Sequence, residues 1–244
     1  EGHAVIALKD ASGNILWSWH IWLTDVPKGQ VYYNNAGTMM DRNLGAISVE
    51  PGTVESFGFF YQWGRKDPFV IPGYMTTYPA EAITYEYYDS SNDTIENAVL
   101  HPTVVYDDSQ WDWRSDLWDV SKTIYDPCPV GWRVSDRTAW EELRRADNSQ
   151  TSYFQLSSSS ASPTAYIPLP GYTDGTQNVY ENANRGHIWQ TERSHYTYFW
   201  AWNNSPSINT LEVDYLAGVR CMKDQSVGSG SNEDYTEGDD YEWE

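Results

Sequence analysis

The segment Ile15-Leu16-Trp17-Ser18-Trp19-His20-Ile21-Trp22-Leu23 constrains the fold more than any other. Successive side chains of a strand point to opposite faces, so Ile15, Trp17, Trp19, Ile21 and Leu23 share one face and Leu16, Ser18, His20, Trp22 and Thr24 the other. The first face is wholly apolar and is expected to be buried. The second is mixed, as suits a strand under a loop or near a sheet edge. The apolar run Ala4–Leu8 and the turn residues Asp10-Ala11-Ser12-Gly13-Asn14 precede it, which predicts a β-hairpin.

Helices are few. Asp93-Thr94-Ile95-Glu96 has the form of a capping box with Asp93 as N-cap, and the segment runs to His101 before Pro102 stops it. A stronger helix is expected after Ser135. There Ala139, Trp140, Leu143 and Ala146 recur at three- and four-residue spacing, with Asp136 near the positive end and Arg144 and Arg145 near the negative one. The rest is short β-like runs broken by Gly, Pro, Asn and Ser. The predicted class is therefore α+β, with short antiparallel strands, long ordered loops and one or two short helices. From residue 225 the composition turns acidic and Gly/Ser-containing, with seven acids and no Lys or Arg in the last twenty residues. This predicts one domain over 1–224 and a solvated tail over 225–244, whose Tyr235, Tyr241 and Trp243 would let it dock on a sheet edge.

Fifteen Lys and Arg stand against 35 Asp and Glu, a formal charge of −20. Nucleic acid and anionic membrane surfaces attract cationic patches, so neither is expected as the main partner. No apolar run approaches the roughly 20 residues of a membrane span, and no leader-like segment opens the sequence. HExxH, GxSxG, P-loop and dinucleotide-binding patterns are all missing. The five histidines lack ligand spacing; His187 and His195 are the nearest to a pair. Acids are so numerous that neighbours such as Glu141-Glu142 point to a solvated face rather than to acid–base chemistry. Cys128 and Cys221 are too far apart for a zinc ribbon or a CxxC redox pair. Their spacing fits either one long-range disulfide, worth about 4–5 kcal/mol in the chain-entropy model, or two unrelated buried thiols.

Four blocks are more specific: Met39-Met40-Asp41-Arg42-Asn43-Leu44-Gly45-Ala46, Phe60-Tyr61-Gln62-Trp63-Gly64-Arg65-Lys66-Asp67-Pro68, Asp126-Pro127-Cys128-Pro129-Val130-Gly131-Trp132-Arg133-Val134 and Gly218-Val219-Arg220-Cys221-Met222-Lys223-Asp224. In that order they resemble the FISUMP-type surface domain, over roughly residues 15–224. The group has a C-type-lectin-like fold related to formylglycine-generating enzymes, and occurs in exported bacterial proteins with fimbrillin-like modules. The resemblance implies an extracellular, cell-surface location and a disulfide between Cys128 and Cys221. It also implies pairing of the first and last strands, which would put Ile15–Leu23 near Leu216–Met222. With both cysteines in the structural pair, no thiol remains as a nucleophile, so catalytic residues and cofactors are not expected. Calcium-dependent lectins carry Glu-Pro-Asn or Gln-Pro-Asp with Trp-Asn-Asp. Trp202-Asn203-Asn204 only approximates the last, which argues against a calcium site.

His187–Asn204 is the candidate binding segment. Alternation puts Tyr196, Tyr198 and Trp200 on one face and Thr197, Phe199 and Ala201 on the other, and two apolar faces are hard to bury together. Trp189, Tyr196, Tyr198, Trp200, Trp202, Asn203 and Asn204 are thus the expected ligand residues, the rings stacking on a sugar or a protein and the amides bonding to it. A central buried strand is the competing reading of the same segment. The expected function is ligand binding or adhesion, non-catalytic, toward a glycan or a host or bacterial surface protein, with further pilus or surface-complex subunits as partners. A formylglycine-generating-type enzyme and a structural filament subunit are the alternatives.

Overall fold

The computed structural model describes residues 2–69, 86–88, 94–106, 116–146, 153–157, 159, 161–162, 164–173, 179–180, 184–193 and 195–225. In chain order the first strands are β1 (Gly2–Lys9), β2 (Ile15–Leu23), β3 (Gly29–Tyr32), β4 (Gly37–Met40), β5 (Phe60–Gln62) and β6 (Glu86–Tyr88). The short helix α1 (Ile95–Leu100) leads to β7 (Val104–Tyr106), β8 (Trp132–Val134), β9 (Tyr153–Gln155), β10 (Ala161–Ser162), β11 (Tyr166–Pro168) and β12 (Tyr172–Thr173). The last are β13 (Val179–Tyr180), β14 (Arg185–Trp189), β15 (His195–Trp200), β16 (Ser207–Thr210), β17 (Leu216–Gly218) and β18 (Cys221–Lys223). No helix among the described residues is long and apolar enough to cross a membrane.

The fold is mainly β, which corrects the α+β expectation. The segment after Ser135 is the cause. Asp136 caps not a helix but a single 3-10 turn, Arg137–Ala139, its carboxylate accepting from the Thr138 amide. Glu142 then enters the left-handed region at φ 63°, which an α-helix excludes. Arg145 instead makes an isolated antiparallel bridge with Leu156. Ala139, Trp140 and Leu143 are buried, but by an irregular loop, and Ala146 is exposed while Arg145 is buried. At α1 the helix is present and the cap moves by one residue: Thr94 accepts from the Asn97 amide, and Asp93 lies outside the described residues. The tail's residues 226–244 lie outside them too.

Two sheets organise the domain. One runs β10-β3-β4-β18-β8; the other runs β13-β12-β17-β14-β15-β16 with β5 on β17. The chain crosses between them at Val219-Arg220, from β17 in the larger sheet to β18 in the smaller. The crossing is held by polar bonds. Arg220, 1 % exposed, donates to Asn43 Oδ1 at 2.9 Å, to the Met40 carbonyl at 3.3 Å and to the Tyr166 carbonyl at 3.1 Å. Asn43 passes the network on to the Phe57 carbonyl at 3.1 Å, where Gly58 follows at φ 76°. A Cβ at Gly58 would stand 2.5 Å from the Leu44 carbonyl oxygen, so the close approach requires glycine. A second buried guanidinium, Arg65, bonds to Gln62 Oε1 and to the Val104, Ala98 and His101 carbonyls, with the Phe69 ring 5.0 Å away. Buried ionic groups persist only when so satisfied. The sequence blocks around Asn43, Arg65, Val134 and Cys221 thus supply the interior framework.

Cys128 and Cys221 form the disulfide, with Cα atoms 5.9 Å apart. The bridge ties the loop before β8 to β18. Asp126 steadies that loop by accepting from the Cys128 and Val134 amides, both at 2.8 Å, and from Lys122 at 2.7 Å.

The β1–β2 hairpin forms with the expected second strand, yet it is a separate two-stranded sheet. It does not pair with Leu216–Met222; β18 pairs instead with β4, Met222 opposite Met39, and with β8. Its faces are also reversed. The face expected inside is turned out, with Trp19 46 %, Ile21 37 % and Leu23 63 % exposed. Ser18, on the mixed face, is 1 % exposed. Its hydroxyl donates to Asp67 at 2.5 Å, and Lys66 donates to the Ser18 carbonyl at 2.9 Å. His20 and His3 meet at 3.0 Å and set their rings 5.2 and 4.4 Å from Phe59. Polar atoms with fixed partners decide which face goes in.

Candidate functional site

β14 and β15 pair antiparallel, Arg185 opposite Trp200, His187 opposite Tyr198 and Trp189 opposite Tyr196. Directly opposed residues share a face, so these six side chains form one surface of the sheet. The reverse surface, Thr197, Phe199 and Ala201, is core: exposures are 0 %, 0 % and 3 %, and Phe199 meets Trp140 and Phe154 edge-on at 5.3 Å each.

Burial along the first surface is graded. Trp189 is fully buried and donates its indole N–H to the Tyr61 carbonyl at 2.7 Å, while Trp63 answers on the Gln190 carbonyl at 3.0 Å. Tyr196 is buried beside it. Both belong to the core, so the expectation that they contact ligand is not met by their placement. Tyr198 and Trp200 are half-buried, and Trp202, in the turn after β15, is 53 % exposed. Asn203 is half-buried, its amide bonded to the Trp200 carbonyl at 3.1 Å, and Asn204 is exposed, its carbonyl accepting from the Arg145 amide at 2.8 Å. The turn is anchored on both sides and presents Trp202 outward.

Two more residues join the surface: Arg185, which pattern reading missed, and His187, which opens the candidate segment but was not among its expected ligand residues. Arg185 lays its guanidinium 5.5 Å from the Tyr198 ring and 4.8 Å from the Trp200 ring, a cation–π arrangement that keeps both rings upright. Only strand register reveals it, because fifteen positions separate Arg185 from Trp200. His187 lies between Tyr196 at 4.9 Å, stacked, and Tyr172 at 4.5 Å, edge-on. Burial, with the Arg185 charge second, pushes its pKa down to about 3, so it is a neutral ring at physiological pH. His195 bonds through Nδ1 to the Arg193 carbonyl, and the two histidines do not share a site. Among the described residues no group of three or more His, Cys, Asp or Glu is placed to hold a metal ion.

Past Asn204 the chain borders an open cleft of about 310 Å³, whose lining includes Arg137, Glu141, Glu142, Arg144, Ser205 and Pro206. Arg137 is paired with Glu141 at 2.7 Å. Glu142 is exposed and held in its left-handed conformation at the cleft wall. Ser205, at the edge of this cleft, lies three residues beyond Trp202, the most exposed large ring of β14, β15 and the turn that follows. No protein-family model, curated protein or solved structure matches the chain.

Proposed function

We propose that this chain is a non-catalytic glycan-binding, adhesion-type domain of an exported bacterial surface protein, with its ligand seated on the open end of the β14–β15 hairpin. The observation that carries the reading is the burial gradient from Trp189 and Tyr196 to the exposed Trp202 in the turn after β15, with a polar cleft bordered by Ser205 three residues further along the chain. A ring of this kind offers a flat apolar face to sugar C–H groups, while Asn203, Asn204 and the carboxylate of Glu142 are acceptors for hydroxyl protons. Tyr198, Trp200 and Arg185 form the base of this surface and restrict its motion. Both cysteines of the chain are consumed by the disulfide, which counts against the thiol chemistry of a formylglycine-generating-type enzyme. The blocks resembling FISUMP-type domains support the surface location. A glycan array probed with the whole chain and with Trp202→Ala tests the proposal. The expected result is a restricted set of glycans bound by the wild type and lost in the variant; a wild-type chain that binds none of them contradicts it.

A further inference from the structure

We propose that β1 is an edge through which two copies of this chain pair, joining their hairpins into one antiparallel four-stranded sheet. β2 holds the hairpin to the body through Ser18 and His20, and among the described residues β1 is paired on one side alone, by β2. From Ala4 to Leu8 every residue is exposed, Val5 at 51 %, Ile6 at 52 % and Leu8 at 53 %, although they point alternately to both faces. Such an edge offers unpaired backbone groups, and folded proteins normally defend it with an inward charge, a proline or a covering segment. Between Gly2 and Leu8 there is no charge and no proline. Apolar surface continues across the outer face through Trp19, Ile21 and Leu23, and by way of Trp17 to Tyr125, 6.4 Å away.

Charge selects the occupant. The chain carries −20, so two copies can meet closely only where neither presents acids, and the hairpin face is such a place. Tail residues 226–244 bring seven acids, against which the edge offers Lys9 alone. An anionic lipid surface meets the same deficit. Geometry selects the pairing. The exposed run Ala4–Leu8 is centred on Ile6, and a two-fold axis there sets Ile6 against Ile6, Val5 against Ala7 and Ala4 against Leu8, every pair on a common face. Two five-residue edges with their flanking side chains bury less than the roughly 800 Å² per partner of a standard interface, so the dimer is weak and concentration-dependent.

Sedimentation of the whole chain over a concentration series is the test. The expected result is a rise from one chain mass toward two on concentrating, abolished by Ile6→Lys, which sets two ammonium groups against each other on the axis. Ile6→Cys should form an intermolecular disulfide under mild oxidation, whereas Leu23→Cys, at the far end of the outer face, should not. Position 6 is half-exposed, and an unchanged near-UV spectrum checks that both variants are folded. A single chain mass at every concentration overturns the proposal. Dimerisation that survives Ile6→Lys but fails in Trp19→Thr moves the contact to the outer face and overturns it equally. So does a dimer lost on deleting residues 226–244, or binding of the wild type to neutral or anionic vesicles without self-association.

Discussion

β2 and β15 are both alternating, aromatic-rich strands, and they end in opposite environments. β2 turns its wholly apolar face outward and is anchored by Ser18 and His20; β15 buries Phe199 on one face and Tyr196 on the other. The difference lies in their neighbours. β15 is flanked on both sides, by β14 and β16, inside the larger sheet, so either face finds a core. β2 has β1 as its sheet partner and the Lys66–Asp67 pair beneath it, and a buried ammonium and carboxylate need polar atoms that Ser18 supplies and Ile21 does not. Alternation shows that two faces differ. Which one is inside depends on what the body offers to meet.

The largest expected effect falls on the core side of this comparison. Phe199→Ala should cost about 3–5 kcal/mol of unfolding free energy by denaturant titration, because Trp140 and Phe154 pack on that ring from fixed backbones. Next is the ion pair under β2. Asp67→Ala leaves the Lys66 ammonium buried without its carboxylate and should cost about 3 kcal/mol, with loss of amide protection concentrated in the β1–β2 hairpin. Similar protection across β2 and β15 in that variant would show that the ion pair does not anchor the hairpin.

Acid separates the regions further. Burial lowers His3 and His20 to about 4 and His187 to about 3, against a usual 6.5. The unfolded chain therefore binds protons that the folded one refuses. Their contribution is complete above pH 6.5 and declines as pH falls toward 4. Stability at pH 5 should be lower than at pH 7, with hairpin amides deprotected first, and His20→Phe should flatten the slope. A pH-independent midpoint over this range would contradict the assignment. The smallest effect belongs to the outer face: Trp19→Thr should change stability by no more than about 0.5 kcal/mol, measured on dilute protein.

These outcomes mirror what the sequence made legible. The hairpin, its turn and the site of α1 followed from local chemistry, which acts over a few residues, although α1 ends at Leu100 with His101 as its C-cap rather than its last residue. The disulfide followed from the resemblance, and the structure confirms it. The helix after Ser135 did not form. Its apolar spacing is equally served by a loop folded over Phe199, and the Arg145–Leu156 bridge outweighs helical propensity. The aromatic segment was recognisable as a strand whose two faces compete for burial, but its gradient from Trp189 to Trp202 depends on Tyr61 and Trp63, more than 120 positions away. Arg185 was invisible because strand register alone sets it opposite Trp200, fifteen positions away.

In the proposed function, burial along the β14–β15 hairpin decides where a ligand lands. The direct measurement is the pair Trp202→Ala and Trp189→Ala, each assayed for melting temperature and for binding to a glycan the wild type selects. Trp202→Ala should lose binding at an unchanged melting temperature, while Trp189→Ala should be destabilised by about 3–5 kcal/mol. Wild-type binding by Trp202→Ala, or a loss of stability in it equal to that of Trp189→Ala, would rule out Trp202 as the ligand's platform.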